Sequence, residues 1–179
     1  MTLTRYVVAF CVAACSLGAE EASAARPVDL NAGTIQAALR ASRMEDGGFT
    51  SFAVNMKPWV PGLTTSIPIC FDWARTRPHR PFQYFKKALI TRVPQLKTEL
   101  NAAAALDATK IKDDLGLKPT ETQSRAFVDT TVRLAKAGTL APTVVNDAAV
   151  SAKASFWGKY DKFHKAVLAA ATEHGVTVE

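Results

Sequence analysis

Apolar positions recur along this chain mainly at helical spacing. From Pro81 onward, Phe82, Phe85, Leu89, Val93, Leu96 and Leu100 follow one another at three- and four-residue steps, the strongest amphipathic stripe in the sequence. Pro81 suits the first helical position, where a missing N–H costs nothing, and Pro94 predicts a kink or break near Val93. Ala102 to Ala105 extend the helix. A shorter stripe through Ile35, Ala38, Leu39 and Ser42 to Met44 follows a cap at Asp29 or Asn31 and ends at Gly47-Gly48. Further on, Asp107 caps a helix that closes at Leu115-Gly116. Thr120 and Gln123 form a capping box for a helix with Phe127, Thr131 and Leu134 on one face, ended by Gly138. The last long helix begins near Thr143 or Asn146 and carries Val150, Phe156, Tyr160, Phe163, Val167 and Ala171 before Gly175, with Gly158 inside it as a point of close packing.

Two stretches read differently. Phe52, Val54 and Met56 alternate with small or polar residues, and Ile67, Ile69 and Phe71 alternate again after Pro61-Gly62, which predicts two strands joined through a turn. Pro58 and Pro68 each remove a ladder donor, so these strands are expected to be short or edge-like, with an extended arm as the alternative. The expected fold is therefore mainly α: a four- to five-helix antiparallel assembly with a small β-hairpin or extended arm near the N-terminal third. No repeat or serine- and glycine-rich linker divides residues 25–179, which are expected to form a single mainly helical domain.

Composition adds a compartment to this picture. Residues 1–24 have the pattern of a signal peptide: Arg5, the apolar run from Tyr6 to Ala14, then Ala22-Ser23-Ala24 as a small-residue cleavage site. An exported protein, periplasmic or secreted, is expected. Val12-Ala13-Ala14-Cys15 also resembles a lipoprotein box, in which Cys15 would carry a lipid anchor. Cleavage before Ala25 removes Cys11 and Cys15 and leaves Cys70 alone, so no internal disulfide can form and the fold must stand on its core.

Charge then singles out one region. Removing Arg5, Glu20 and Glu21 leaves 21 basic and 14 acidic residues, a net charge of +7. Between Lys57 and Lys97 stand eight basic residues against Asp72 alone. Within that stretch the guanidinium forks of Arg75, Arg77 and Arg80 suit phosphate or carboxylate, and Trp73 and Tyr84 can stack on a ring or lie at a lipid interface. With His79, Lys86 and Lys87 they make up the expected binding surface, for an anionic partner such as a lipid headgroup, a glycan or an acidic protein surface. A membrane surface fits the same chemistry, whereas export argues against nucleic acid. No oligomeric state is legible.

Catalytic and metal chemistry find less support. Cys70, Asp72 and His79 contain the residue types of a thiol nucleophile, an orienting acid and a base, but they lie within ten positions without a recognisable oxyanion site. His79, His164 and His174 lack ligand spacing, and neither a metal nor a cofactor is expected. The sequence thus favours a non-enzymatic binding or interaction protein. The alternatives are a helical carrier holding a small apolar ligand between the Phe82–Leu100 and Phe156–Val167 stripes, and a cysteine-dependent enzyme using Cys70.

Overall fold

A computed structural model describes residues 30–41 and 43–178. The expected leader and the Cys15 box lie outside the described residues. The protein is mainly helical, and several of its helix ends fall where cap and proline signals place them. Asn31 caps α1 (Ala32–Ala38), its side-chain oxygen accepting the Thr34 N–H at 2.8 Å. Pro81 and Pro94 open α4 (Pro81–Arg92) and α5 (Pro94–Ala105), with the break at Val93. Phe82, Phe85, Leu89, Val93 and Leu96 are buried, as their spacing predicts. Asp107 caps α6 (Ala108–Leu115) by accepting from Thr109 and Lys110, and Gly116 closes it in the left-handed conformation.

Four expectations are corrected. No strand or extended arm occurs among the described residues: the two alternating runs lie in α2 (Met44–Asn55) and α3 (Gly62–Arg75). The helical set in α2 is Phe49, Phe52, Ala53 and Met56, partly hidden by the small residues between them. In α3 the buried set is Leu63, Ser66, Ile67, Cys70, Phe71 and Ala74, so Ile69 points to solvent; Pro68 sits within the helix and removes the N–H that would bond to the Thr64 carbonyl.

The first helix stops at Leu39 because Arg40 turns to positive φ, and Gly47-Gly48 fall inside α2, where Glu45 and Asp46 complement the N-terminal dipole. The capping box at Thr120 is not formed; α7 (Thr122–Lys136) follows Glu121, whose carboxylate accepts the Lys118 N–H. Finally, the last helix is two, α8 (Pro142–Lys153) and α9 (Lys159–Glu173). Gly158 is not a packing point within it but a left-handed residue (φ 61°) in the turn between them. Nine helices among the described residues thus replace the four or five expected.

The buried side chains form two clusters. Residues from α1 to α5, with Ala141, make the first, centred on Phe49, Phe82 and Phe85, whose rings approach edge to face at 6.2 and 6.4 Å from Phe49. Residues from Leu106 through α9 make the second, around Val128, Val145, Phe163 and Val167. Trp59, in the turn after α2, packs against both. Its indole N–H donates to the Thr139 carbonyl at 3.0 Å, and its ring lies 3.9 Å from that of His174. Beside it, the Asn55 side chain donates to the Ala137 carbonyl at 2.9 Å. Across the same seam, the Glu99 carboxylate of α5 accepts the N–H and the hydroxyl of Thr143, at 3.0 and 2.6 Å, at the start of α8.

Candidate functional site

The α3–α4 hairpin carries the basic aromatic stretch and divides it between two clefts. Helical spacing decides the division. On α3, Ile69 and Trp73 lie one turn apart; on α4, Tyr84, Lys87, Ala88 and Thr91 recur at helical steps on a single face. These faces meet across an open groove of about 620 Å³, which Arg92 also lines. Ile69, Trp73 and Tyr84 are all exposed there, although each is large and apolar. Trp73 and Tyr84 stand edge to face at 5.7 Å, and the Arg77 guanidinium lies 4.4 Å from the centre of the Trp73 ring. The groove combines exposed aromatic side chains with the cations Lys87 and Arg92, and Arg77 is attached to it through the Trp73 ring.

His79 and Arg80 go elsewhere. They line a cleft of about 870 Å³ between the α3–α4 turn and the α1–α2 junction, together with Arg40, Arg43 and the nearly buried Asp46. Arg40 and Arg80 are the two non-glycine residues of positive φ among the described residues, at 53° and 50°. Left-handed backbone at such a residue costs roughly 1–2 kcal/mol. Arg75 pairs with Asp72 at 3.2 Å on the solvent side of α3, an exposed contact of little energetic weight. Lys86 reaches over the Phe49 ring at 5.2 Å, outside the groove lining. Of the eight residues singled out by sequence, Trp73, Tyr84, Lys87 and, through Trp73, Arg77 share one site.

Sequence reasoning missed Ile69, Ala88, Thr91 and Arg92 in the groove. The signal was present in the one-turn spacing from Ile69 to Trp73 and from Tyr84 to Ala88, but the reading of Ile67 to Phe71 as a strand concealed it. Arg40, Arg43 and Asp46 lie more than thirty positions from His79, and no local pattern links them.

Cys70 lines the groove yet is only 3% exposed. Burial pushes its thiol pKa up, and the Arg92 guanidinium opposes that shift more weakly. Asp72 is engaged with Arg75 and His79 lines the other cleft, so the three residues of the sequence-suggested nucleophilic set are not brought together. A raised thiol pKa leaves less thiolate at pH 7–8. In the folded protein, iodoacetamide is expected to alkylate Cys70 roughly tenfold or more slowly than in denaturant, with the rate climbing only above the usual thiol range. Mass spectrometry of timed reactions checks this; equal rates in the two states would reinstate an accessible thiolate.

The stripes suggested for a carrier are separated as well. Phe82, Phe85 and Leu89 belong to the first cluster, Phe163 and Val167 to the second, and Phe156 lies at the surface. Among the described residues no group of three or more His, Cys, Asp or Glu side chains could hold a metal ion, and no helix is long and apolar enough to cross a membrane. No family model matches this chain, and neither a curated protein nor a solved structure matches it significantly.

Proposed function

We propose that this chain is an exported, non-enzymatic binding protein that takes an anionic amphiphile, a carboxylate or phosphate group on an apolar or ring-bearing body, in the α3–α4 groove. One observation carries the reading: exposed Ile69, Trp73 and Tyr84 share a groove with Lys87 and Arg92, while Arg77 is held on the Trp73 ring. Three large side chains gathered at the surface of one groove suit an occupant that packs against their apolar faces. The cations beside them select an occupant bearing negative charge. Export is supported by the leader-like pattern of residues 1–24.

The test is a titration of the protein with monomeric lysophosphatidylglycerol, lysophosphatidylcholine and heparin. Preference for the glycerol headgroup over the choline headgroup is expected. Trp73→Ala should weaken binding about tenfold, and joint Lys87→Gln and Arg92→Gln should weaken it similarly while flattening its salt dependence. Equal affinity for both lipids, or affinity untouched by these variants, removes the proposal. Heparin binding that survives Trp73→Ala would instead mark recognition of a polyanion through charge alone.

A further inference from the structure

The most exposed aromatic side chains among the described residues lie away from the groove. Phe156 and Trp157 occupy the turn between α8 and α9, where they are 84% and 79% exposed and touch each other edge to face at 4.9 Å. A helical hairpin normally buries or omits such residues at its turn, because each large ring left in water forgoes substantial apolar burial. Here the two helices pack closely through Phe163, Val167, Val145 and Ala148, which leaves the rings at the tip. The turn is held in shape by the left-handed Gly158 and by Lys162, whose ammonium donates to Ser155 Oγ at 2.9 Å.

From this tip we infer that the α8–α9 turn docks on an anionic lipid surface, with Phe156 and Trp157 entering the interface and Lys159 and Lys162 at headgroup level. Geometry favours a bilayer over a protein. Two rings on a convex tip offer at most about 500 Å², whereas one side of a stable protein–protein interface needs about 800 Å². Aromatic rings at the membrane–water boundary, with basic side chains extending beside them, are the arrangement that partitions there. Charge agrees: Lys153 is neutralised by Asp114 at 2.8 Å, but Lys159 and Lys162 outnumber Asp161 on the first turn of α9. Each such lysine near an anionic surface is worth about fivefold in affinity. This site is independent of the α3–α4 groove.

Co-sedimentation of the full chain with vesicles of phosphatidylglycerol and phosphatidylcholine in equal parts, and of phosphatidylcholine alone, tests the inference. Phe156→Ser with Trp157→Ser should lower partitioning on the mixed vesicles at least tenfold relative to the parent chain. Lys159→Gln with Lys162→Gln should lower it on the mixed vesicles and leave the phosphatidylcholine result unchanged. Phe156, Trp157 and Lys162 are exposed and Lys159 is half-buried. Because Lys162 also bonds to Ser155, Ser155→Ala serves as the control for loss of that bond alone, and a thermal melt by circular dichroism checks that every variant folds. In a Trp73→Phe background, which removes the groove tryptophan, brominated lipid should quench tryptophan emission, and adding Trp157→Phe should abolish most of that quenching. Unchanged partitioning of the aromatic variant overturns the inference, as does quenching that persists without Trp157. So does an aromatic variant that loses self-association in sedimentation velocity while partitioning as before, which would assign the tip to a second copy of this chain.

Discussion

Replacing Gly138 with alanine is expected to destabilise the protein by about 3 kcal/mol or more, among the largest effects available to a single added methyl group. Gly138 ends the α7 region at φ 77°, where an L side chain is strained, a cost of roughly 1–2 kcal/mol by itself. A methyl group there would also stand 2.7 Å from the Phe52 carbonyl oxygen and 3.1 Å from Phe52 Cα. Those are backbone atoms of α2, so relief requires shifting a helix that presents Phe49, Phe52 and Met56 to the first cluster. Forcing such a shift adds roughly 1–3 kcal/mol. Gly116 is the control. Its φ of 72° is similar, but an added methyl would meet nothing within 4 Å, so Gly116→Ala should cost only about 1 kcal/mol. Urea unfolding of the two variants separates strain from collision; equal midpoints would show that the approach of α2 to Gly138 is not maintained in solution.

The second large effect is expected at Glu99. Helix α8 opens with Pro142 after Ala141, which has no side chain able to cap it. The cap comes instead from another helix: Glu99, 9% exposed on α5, accepts both the Thr143 N–H and the Thr143 hydroxyl. A carboxylate at a helix N-terminus gains from the dipole as well as from the hydrogen bonds. Hydrogen bonds to a charged group are worth about 1.5–3 kcal/mol, so Glu99→Ala should cost about 3 kcal/mol by leaving the donors unpartnered. Glu99→Gln keeps one acceptor oxygen and loses the charge, and should cost about half as much. Calorimetric melts of both, with Thr143→Ala alone and combined, give the coupling directly; additive effects of Glu99→Ala and Thr143→Ala would mean the two residues do not act together.

The legible parts of this fold were the positions where one residue type answers one local need. Asn31 and Asp107 as caps, Gly116 as a left-handed terminator, and Pro81 and Pro94 as helix openers each follow from backbone chemistry within a turn. In the α2–α3 region short windows admit both periods, so the helical set is not legible from alternation. Ile67, Ile69 and Phe71 alternate, yet Ile67, Cys70, Phe71 and Ala74 form an equally good helical set, and burial selects the latter. A helical apolar pattern continues across Gly158 through Phe156 and Tyr160 and hides the turn, which exposes Phe156.

At the candidate site, Trp73, Tyr84 and Lys87 were visible because the α3–α4 hairpin brings together residues near in sequence. The division of His79 and Arg80 from them was not, since it depends on Arg40, Arg43 and Asp46, which arrive from the α1–α2 junction. Glu99 was likewise silent in sequence: its partner lies 44 residues away.

The seam through Trp59 bears on the order in which the molecule assembles. Within each cluster most packing joins neighbouring helices, but the contacts across the seam close long loops: Trp59 to Thr139 spans 80 residues and Asn55 to Ala137 spans 82. Closing such loops carries the larger entropic cost, which places the seam after the local clusters in a folding sequence. Contacts made late affect escape from the native state more than arrival at it. Gly138, Asn55 and Trp59 then govern chiefly how long the folded protein persists, and the α1–α5 cluster can begin to consolidate before the residues that will cover its far edge have been synthesised.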